Sequence, residues 1–164
     1  MKTVVHRLAA TSALILGTLF AGHSSAKADD SYLVINTVAL HFENFNERNA
    51  FTPGIGWEYS PSGKFGWHAG TLSDSFGYQS AYGGVNYATQ PIAWGKLRFM
   101  LGATILHKQF KKNAEPETKL VPLPAMEFRF TDTAVLNVSG SPAVDFANQK
   151  NNAVVFFQVK LHLL

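Results

Sequence analysis

From Leu97 to Ile105 every second residue is apolar (Leu97, Phe99, Leu101, Ala103, Ile105), and Arg98, Met100, Gly102 and Thr104 stand between them. Successive side chains of an extended chain point to opposite sides, so a period of two marks a strand with two unlike faces. The same alternation returns at Tyr32 to His41, Phe51 to Tyr59, Phe65 to Leu72, Ser80 to Tyr87, Leu120 to Phe130, Thr133 to Ser139 and Asn152 to Leu164. Turn-forming residues separate the stretches, and no window after the first segment sustains the three-to-four spacing of a helix. The sequence therefore predicts an all-β domain of eight strands, each 7–13 residues long.

The first segment has a different design. Lys2 and Arg7 precede an apolar run from Leu8 to Gly22, and Ala26-Lys27-Ala28 supplies a small-x-small cleavage pattern. This is the layout of an export signal, and the run is short for a helical bilayer span of about 20 residues. Residues 1–28 are read as a signal peptide and 29–164 as one barrel domain. Of 14 bases against 11 acids, three (Lys2, Arg7, Lys27) lie in the first 28 residues, where no acid occurs. The remainder is electrically balanced, so the basic pI says nothing about nucleic acid, and none is expected as a partner. The absence of cysteine excludes disulfide scaffolds, thiolate metal sites and cysteine nucleophiles.

Eight alternating strands close into either of two barrels. In an outer-membrane barrel the apolar parity faces lipid, and in a soluble lipocalin-like barrel it faces inward. Only 15% of residues are charged, and strands near 10 residues suit a tilted bilayer crossing. Aromatic residues also gather near strand ends (Tyr59, Phe65, Trp67, Tyr87, Trp94, Phe128, Phe130). These features favour an eight-stranded antiparallel transmembrane β-barrel, located in the outer membrane of a Gram-negative bacterium. Connections at Ser60–Lys64 and Thr131-Asp132 are short and that at Ala88–Lys96 is moderate. Three of the four intervening ones, Phe42–Ala50, Ser73–Gln79, His107–Lys119 and Gly140–Asn151, are long. Short periplasmic turns and longer outer loops are the usual barrel asymmetry. With the N-terminus in the periplasm, His41, Asp74 and Ser75 fall on the outer rim. The glycines of the inward faces (Gly54, Gly56, Gly66, Gly70, Gly102) leave space for one slender molecule, or serve strand curvature and close packing.

Histidine, carboxylate and hydroxyl are the set needed to deprotonate an alcohol and transfer an acyl group. Taken singly, His41 also fits an ordinary rim residue, and Asp74-Ser75 an ordinary turn pair. His68, His107 and His162 show no metal-ligand spacing, and Lys108, Lys111 and Lys112 form an outer-loop basic run. Gly83-Gly84 lacks the lysine and helix of a phosphate loop.

Four stretches carry a further signal: LVINTVALH at Leu33 to His41, Asn46-Glu47-Arg48, LSDSF at Leu72 to Phe76, and VPLP at Val121 to Pro124. In order and spacing they resemble the lipid A palmitoyltransferase family of outer-membrane acyltransferases, over nearly all of the mature chain. The resemblance implies a monomeric barrel with an inner slot for one acyl chain, and no cofactor. It implies a membrane phospholipid as acyl donor and lipid A as acceptor. By matching position it implies His41, Asp74 and Ser75 as catalytic residues, with Ser75 either forming an acyl-enzyme or only hydrogen-bonding. The chain also departs from the family. Asp29-Asp30 leads almost directly into the first strand, where the family has an amphipathic helix. Asn36 takes the place of a strand-breaking proline that helps open a lateral gate, leaving Pro142 as the gate residue on the opposite side. Asn86 falls where the family has a glycine at the floor of the acyl slot, which implies a shorter acyl chain.

Overall fold

The computed structural model describes residues 30–43, 47–61, 64–143 and 153–163. The signal-peptide segment and Asn46 lie outside them. Among the described residues the strands are β1 (Asp30–His41), β2 (Phe51–Ser60), β3 (Phe65–Ser73), β4 (Gln79–Ala88), β5 (Leu97–Lys108), β6 (Glu117–Arg129), β7 (Ala134–Ser141) and β8 (Val154–His162). Each pairs antiparallel with its sequence neighbour, and β8 pairs with β1, so the sheet closes into a barrel. The expected fold class, an all-β antiparallel barrel of eight strands, is the one observed.

The ladder register fixes the shape. From Val34 the paired row runs through Gly56, Gly70, Tyr82 and Leu106 to Lys119 on β6. In the other direction it runs through Lys160 and Val135 to Arg129 on the same strand, ten residues further along. A stagger of that size over eight strands tilts them by roughly 40° from the barrel axis.

The loop expected at His107–Lys119 is shorter than the sequence implied. The β5–β6 ladder continues upward to Lys108↔Glu117. Backbone pairing needs no apolar side chains, so the apolar pattern ends before the hydrogen bonds do.

The two faces are unlike in the sense of an outer-membrane barrel. Leu101 is 63% exposed on the outside, and Phe51, Ile55, Val85, Ile105 and Leu120 are also exposed there. An outward aromatic cluster sits near the short-turn end of β2 and β3, where the Trp57 and Trp67 rings meet edge-on at 4.5 Å and Tyr59 stacks beside Trp57. The interior instead holds Asn36, Glu58, Asn86, Glu127, Asn137 and Lys160, all buried. A soluble barrel would turn its apolar parity inward, which is not the distribution found.

Two polar layers line the lower lumen. Lys160, 1% exposed, bridges Glu58 and Glu127 at 2.5 Å each, and Glu127 also pairs with Arg98. Above them an amide chain crosses three strands. Asn137 Nδ2 donates to Gln158 Oε1 (2.6 Å), and Gln158 Nε2 donates to Asn36 Oδ1 (2.5 Å). Asn36 Nδ2 then donates to the Tyr82 hydroxyl at 3.3 Å. Buried polar groups are tolerable when paired in this way, and within these layers Glu58 Oε1 and Asn137 Oδ1 are the atoms without a hydrogen-bond partner among the described residues.

Candidate active site

The aim of His41 depends on a break in β1. On both sides of the strand the register shifts between Asn36 and Val38: against β8, whose facing residues Gln158 and Phe157 are consecutive, Thr37 is the extra residue of a β-bulge, and against β2 the two residues Thr52 and Pro53 lie opposite Thr37. The Thr37 hydroxyl donates to the Phe157 carbonyl at 2.8 Å, anchoring the irregularity. Before the bulge Tyr32, Val34 and Asn36 are buried, and after it Ala39 and His41 are. Strict alternation from Asn36 would have aimed His41 outward. The signal stood in the sequence: the apolar outward residues change parity, from Leu33 and Ile35 to Val38 and Leu40.

Ser75 arrives from the β3–β4 turn. The Asp74 carboxylate, 1% exposed, organises that turn: Oδ1 accepts the backbone N–H of Phe76 (2.9 Å) and of Tyr78 (3.0 Å). Its Oδ2 accepts the Ser80 hydroxyl (3.4 Å) and the Gln109 N–H (3.3 Å). Gly77 follows at φ +87°, a conformation that suits glycine. The Ser75 carbonyl accepts the Asn49 N–H at 2.8 Å, which ties the β1–β2 loop to the same turn. In this frame Ser75 Oγ lies 2.5 Å from His41 Nε2. The two residues are 3% and 6% exposed. A hydroxyl and an imidazole nitrogen at hydrogen-bonding distance form a nucleophile–base pair in geometry. Asp74 meets the turn and Gln109 through its recorded hydrogen bonds, and the imidazole through none of them, so its place in the site is behind Ser75.

Ser75 stands behind His41, and of the two it is His41 that lines a cavity of about 800 Å³ inside the barrel. Its upper wall carries Arg48, Lys108 and Pro142 beside His41, and its lower end reaches Glu58 and Lys160. Leu72, Met100, Leu106, Val121 and Leu123 give it an apolar flank. Asn86 lines it as well, with Gly66 and Gly102 as its cross-strand partners. A Cβ on Gly66 would come within 2.7 Å of Asn86 Oδ1, so that glycine makes room for the amide. Sequence reasoning missed Tyr82. Its phenol occupies the room above Gly56 and Gly70, where any added Cβ would collide with it. A single aromatic on an otherwise small or polar parity (Ser80, Gly84, Asn86) was the available sign.

The barrel wall is uneven. Upward from the turn, β6 pairs with β7 only as far as Ala125↔Ser139. Beyond that, residues 117–124 are paired to β5 alone, and Pro122 and Pro124 bring no N–H to a ladder there. Pro142 directly follows β7 at this side of the mouth. On the Asn36 side β1 stays paired to β2 up to Val38↔Phe51. Glu47 is exposed, and the Arg48 guanidinium lies 5.0 Å from the centre of the Phe76 ring. Among the described residues no three His, Asp or Glu side chains converge as a metal site. Comparison with known proteins adds no identification: no protein-family model matches the chain, and no curated protein matches it.

Proposed function

We propose that this protein is an outer-membrane acyltransferase that moves an acyl chain from a phospholipid to lipid A or a related lipid. The observation that carries the reading is the 2.5 Å contact of Ser75 Oγ with Nε2 of His41, whose side chain lines the large internal cavity. The apolar outer face and the resemblance of four sequence stretches to lipid A palmitoyltransferases support it.

In this mechanism His41 Nε2 takes the proton of the Ser75 hydroxyl as Oγ forms a bond to the ester carbonyl carbon. The ester C–O bond then breaks, and the departing lysophospholipid oxygen takes the proton back from the imidazolium. The acceptor hydroxyl repeats the cycle on the acyl-serine, losing its proton to His41 and releasing Ser75. Asp74 acts as a positioning residue by holding the turn that presents Ser75. The acyl chain lies in the cavity against its apolar flank, with Asn86 toward the inner end. Pro142 and the half-paired upper β6 form the lateral gate by which the chain reaches the cavity.

Mass spectrometry of lipid A from bacteria with and without the protein tests the reading directly. An added acyl chain that depends on both the protein and His41 is expected, and identical lipid A in both strains would sink it. Replacing Asn86 with glycine should deepen the slot and shift the transferred chain toward greater length in the same spectra. An unchanged chain length would remove Asn86 from the role of floor. Membrane insertion has a separate test. Leu101→Arg puts a charge on the outward face and should destabilise folding into lipid vesicles by about 2 kcal/mol. Unchanged stability in vesicles, or recovery of the native protein in the detergent-free periplasmic fraction, would count against a membrane location.

A further inference from the structure

The cavity mouth carries a buried cation that nothing in the reaction above uses. Lys108, at the last position of β5, is 9% exposed and lines the cavity. Among the described residues its ammonium forms no hydrogen bond or ion pair. Its recorded contact is the Phe110 ring, whose centre is 5.4 Å from Nζ. Lys119 Nζ lies 3.9 Å from the centre of that same ring, so one aromatic carries two ammonium groups. Arg48 and Lys111 line the same mouth. The carboxylates nearby offset this set only in part: the Asp74 charge favours the Lys108 ammonium from a distance, with no ion pair between the two. Glu117 pairs with Lys119 at 3.4 Å, and the Asp74 oxygens accept hydrogen bonds from the turn, Ser80 and Gln109. A largely buried, unpaired ammonium among other cations is costly to keep, and a bound anion would offset that cost.

We infer that Lys108, Lys119 and Arg48 form a phosphate-ester site at the cavity mouth that seats the headgroup phosphate of a lipid whose acyl carbonyl then faces His41 and Ser75. The inference rests on the transferase reading for what carries the phosphate. Phosphate fits better than carboxylate because three cations on separate elements surround the site, and a tetrahedral dianion or diester presents oxygens to all of them.

Binding, unlike turnover, can be measured without any acyl transfer, so failure of this site and failure of the transferase reading are told apart. The full mature protein in a neutral maltoside detergent is titrated calorimetrically with three amphiphiles of one acyl chain: lysophosphatidic acid, lysophosphatidylglycerol and monoacylglycerol. At least one phosphate-bearing amphiphile should bind roughly tenfold or more tightly than monoacylglycerol. Lys108→Gln should abolish most of that preference, Lys108→Arg should retain it, and Lys112→Gln, outside the cavity lining, should leave it intact. Lys119→Gln supplies the same readout should Lys108→Gln fail to fold. Tighter binding of the diester assigns the site to the phospholipid donor, and of the monoester to the phosphates of lipid A. Equal binding of all three amphiphiles, or a preference undiminished in folded Lys108→Gln or Lys119→Gln protein, overturns the inference.

Discussion

Replacing His41 with alanine is expected to lower acyl transfer by about a hundred- to ten-thousandfold while leaving the barrel folded, the range typical of removing a positioned general base. The imidazole sits at the last position of β1, where the Phe42 N–H donates to the Ala153 carbonyl at 3.3 Å, and alanine preserves that backbone. Ser75→Ala should fall in the same range. The two side chains act as one unit at 2.5 Å, so the double variant should be little worse than either single one. Radiolabelled phospholipid with lipid A in mixed micelles provides the measurement. Equal rates in wild type and His41→Ala would end the acyltransferase reading. Multiplicative losses in the double variant would show that the two residues act independently.

The second large effect concerns stability. Lys160→Met should destabilise the barrel by about 3–5 kcal/mol, the usual cost of removing one partner from a buried charge pair. Lys160 is the shared partner of Glu58 and Glu127, each at 2.5 Å. Glu127 keeps its ion pair with Arg98, whereas Glu58 loses its ion pair with Lys160, and its Oε1 already lacks a hydrogen-bond partner among the described residues. Adding Glu58→Gln to Lys160→Met should therefore recover part of the loss. Denaturant unfolding in detergent or vesicles measures both variants. A loss below about 1 kcal/mol for Lys160→Met would mean that water or counter-ions reach the lumen and screen the pair.

Strand number, strand order and the division into an outward apolar and an inner polar parity were legible without coordinates. Each is written in short-range alternation and in the turn residues between stretches, as at Leu97–Ile105. The loop residues His107, Lys108 and Glu117 to Lys119 were misjudged because a ladder continues where the apolar pattern stops. The rim residues His41, Asp74 and Ser75 were legible as a constellation, but their division of labour was not. A carboxylate beside a serine reads equally as a catalytic partner and as a turn former, and only the four donors around Asp74 show where its oxygens are spent.

By itself the sequence determined an eight-stranded alternating sheet, an apolar and a polar face, and which loops share an end. These follow from period-two geometry, which is local. Tertiary structure alone decided that the His41 imidazole meets a hydroxyl 34 positions away, and that Lys160 locks two distant glutamates together in the lumen. Those outcomes depend on register between strands far apart in the chain, where a shift of one residue reverses every side chain.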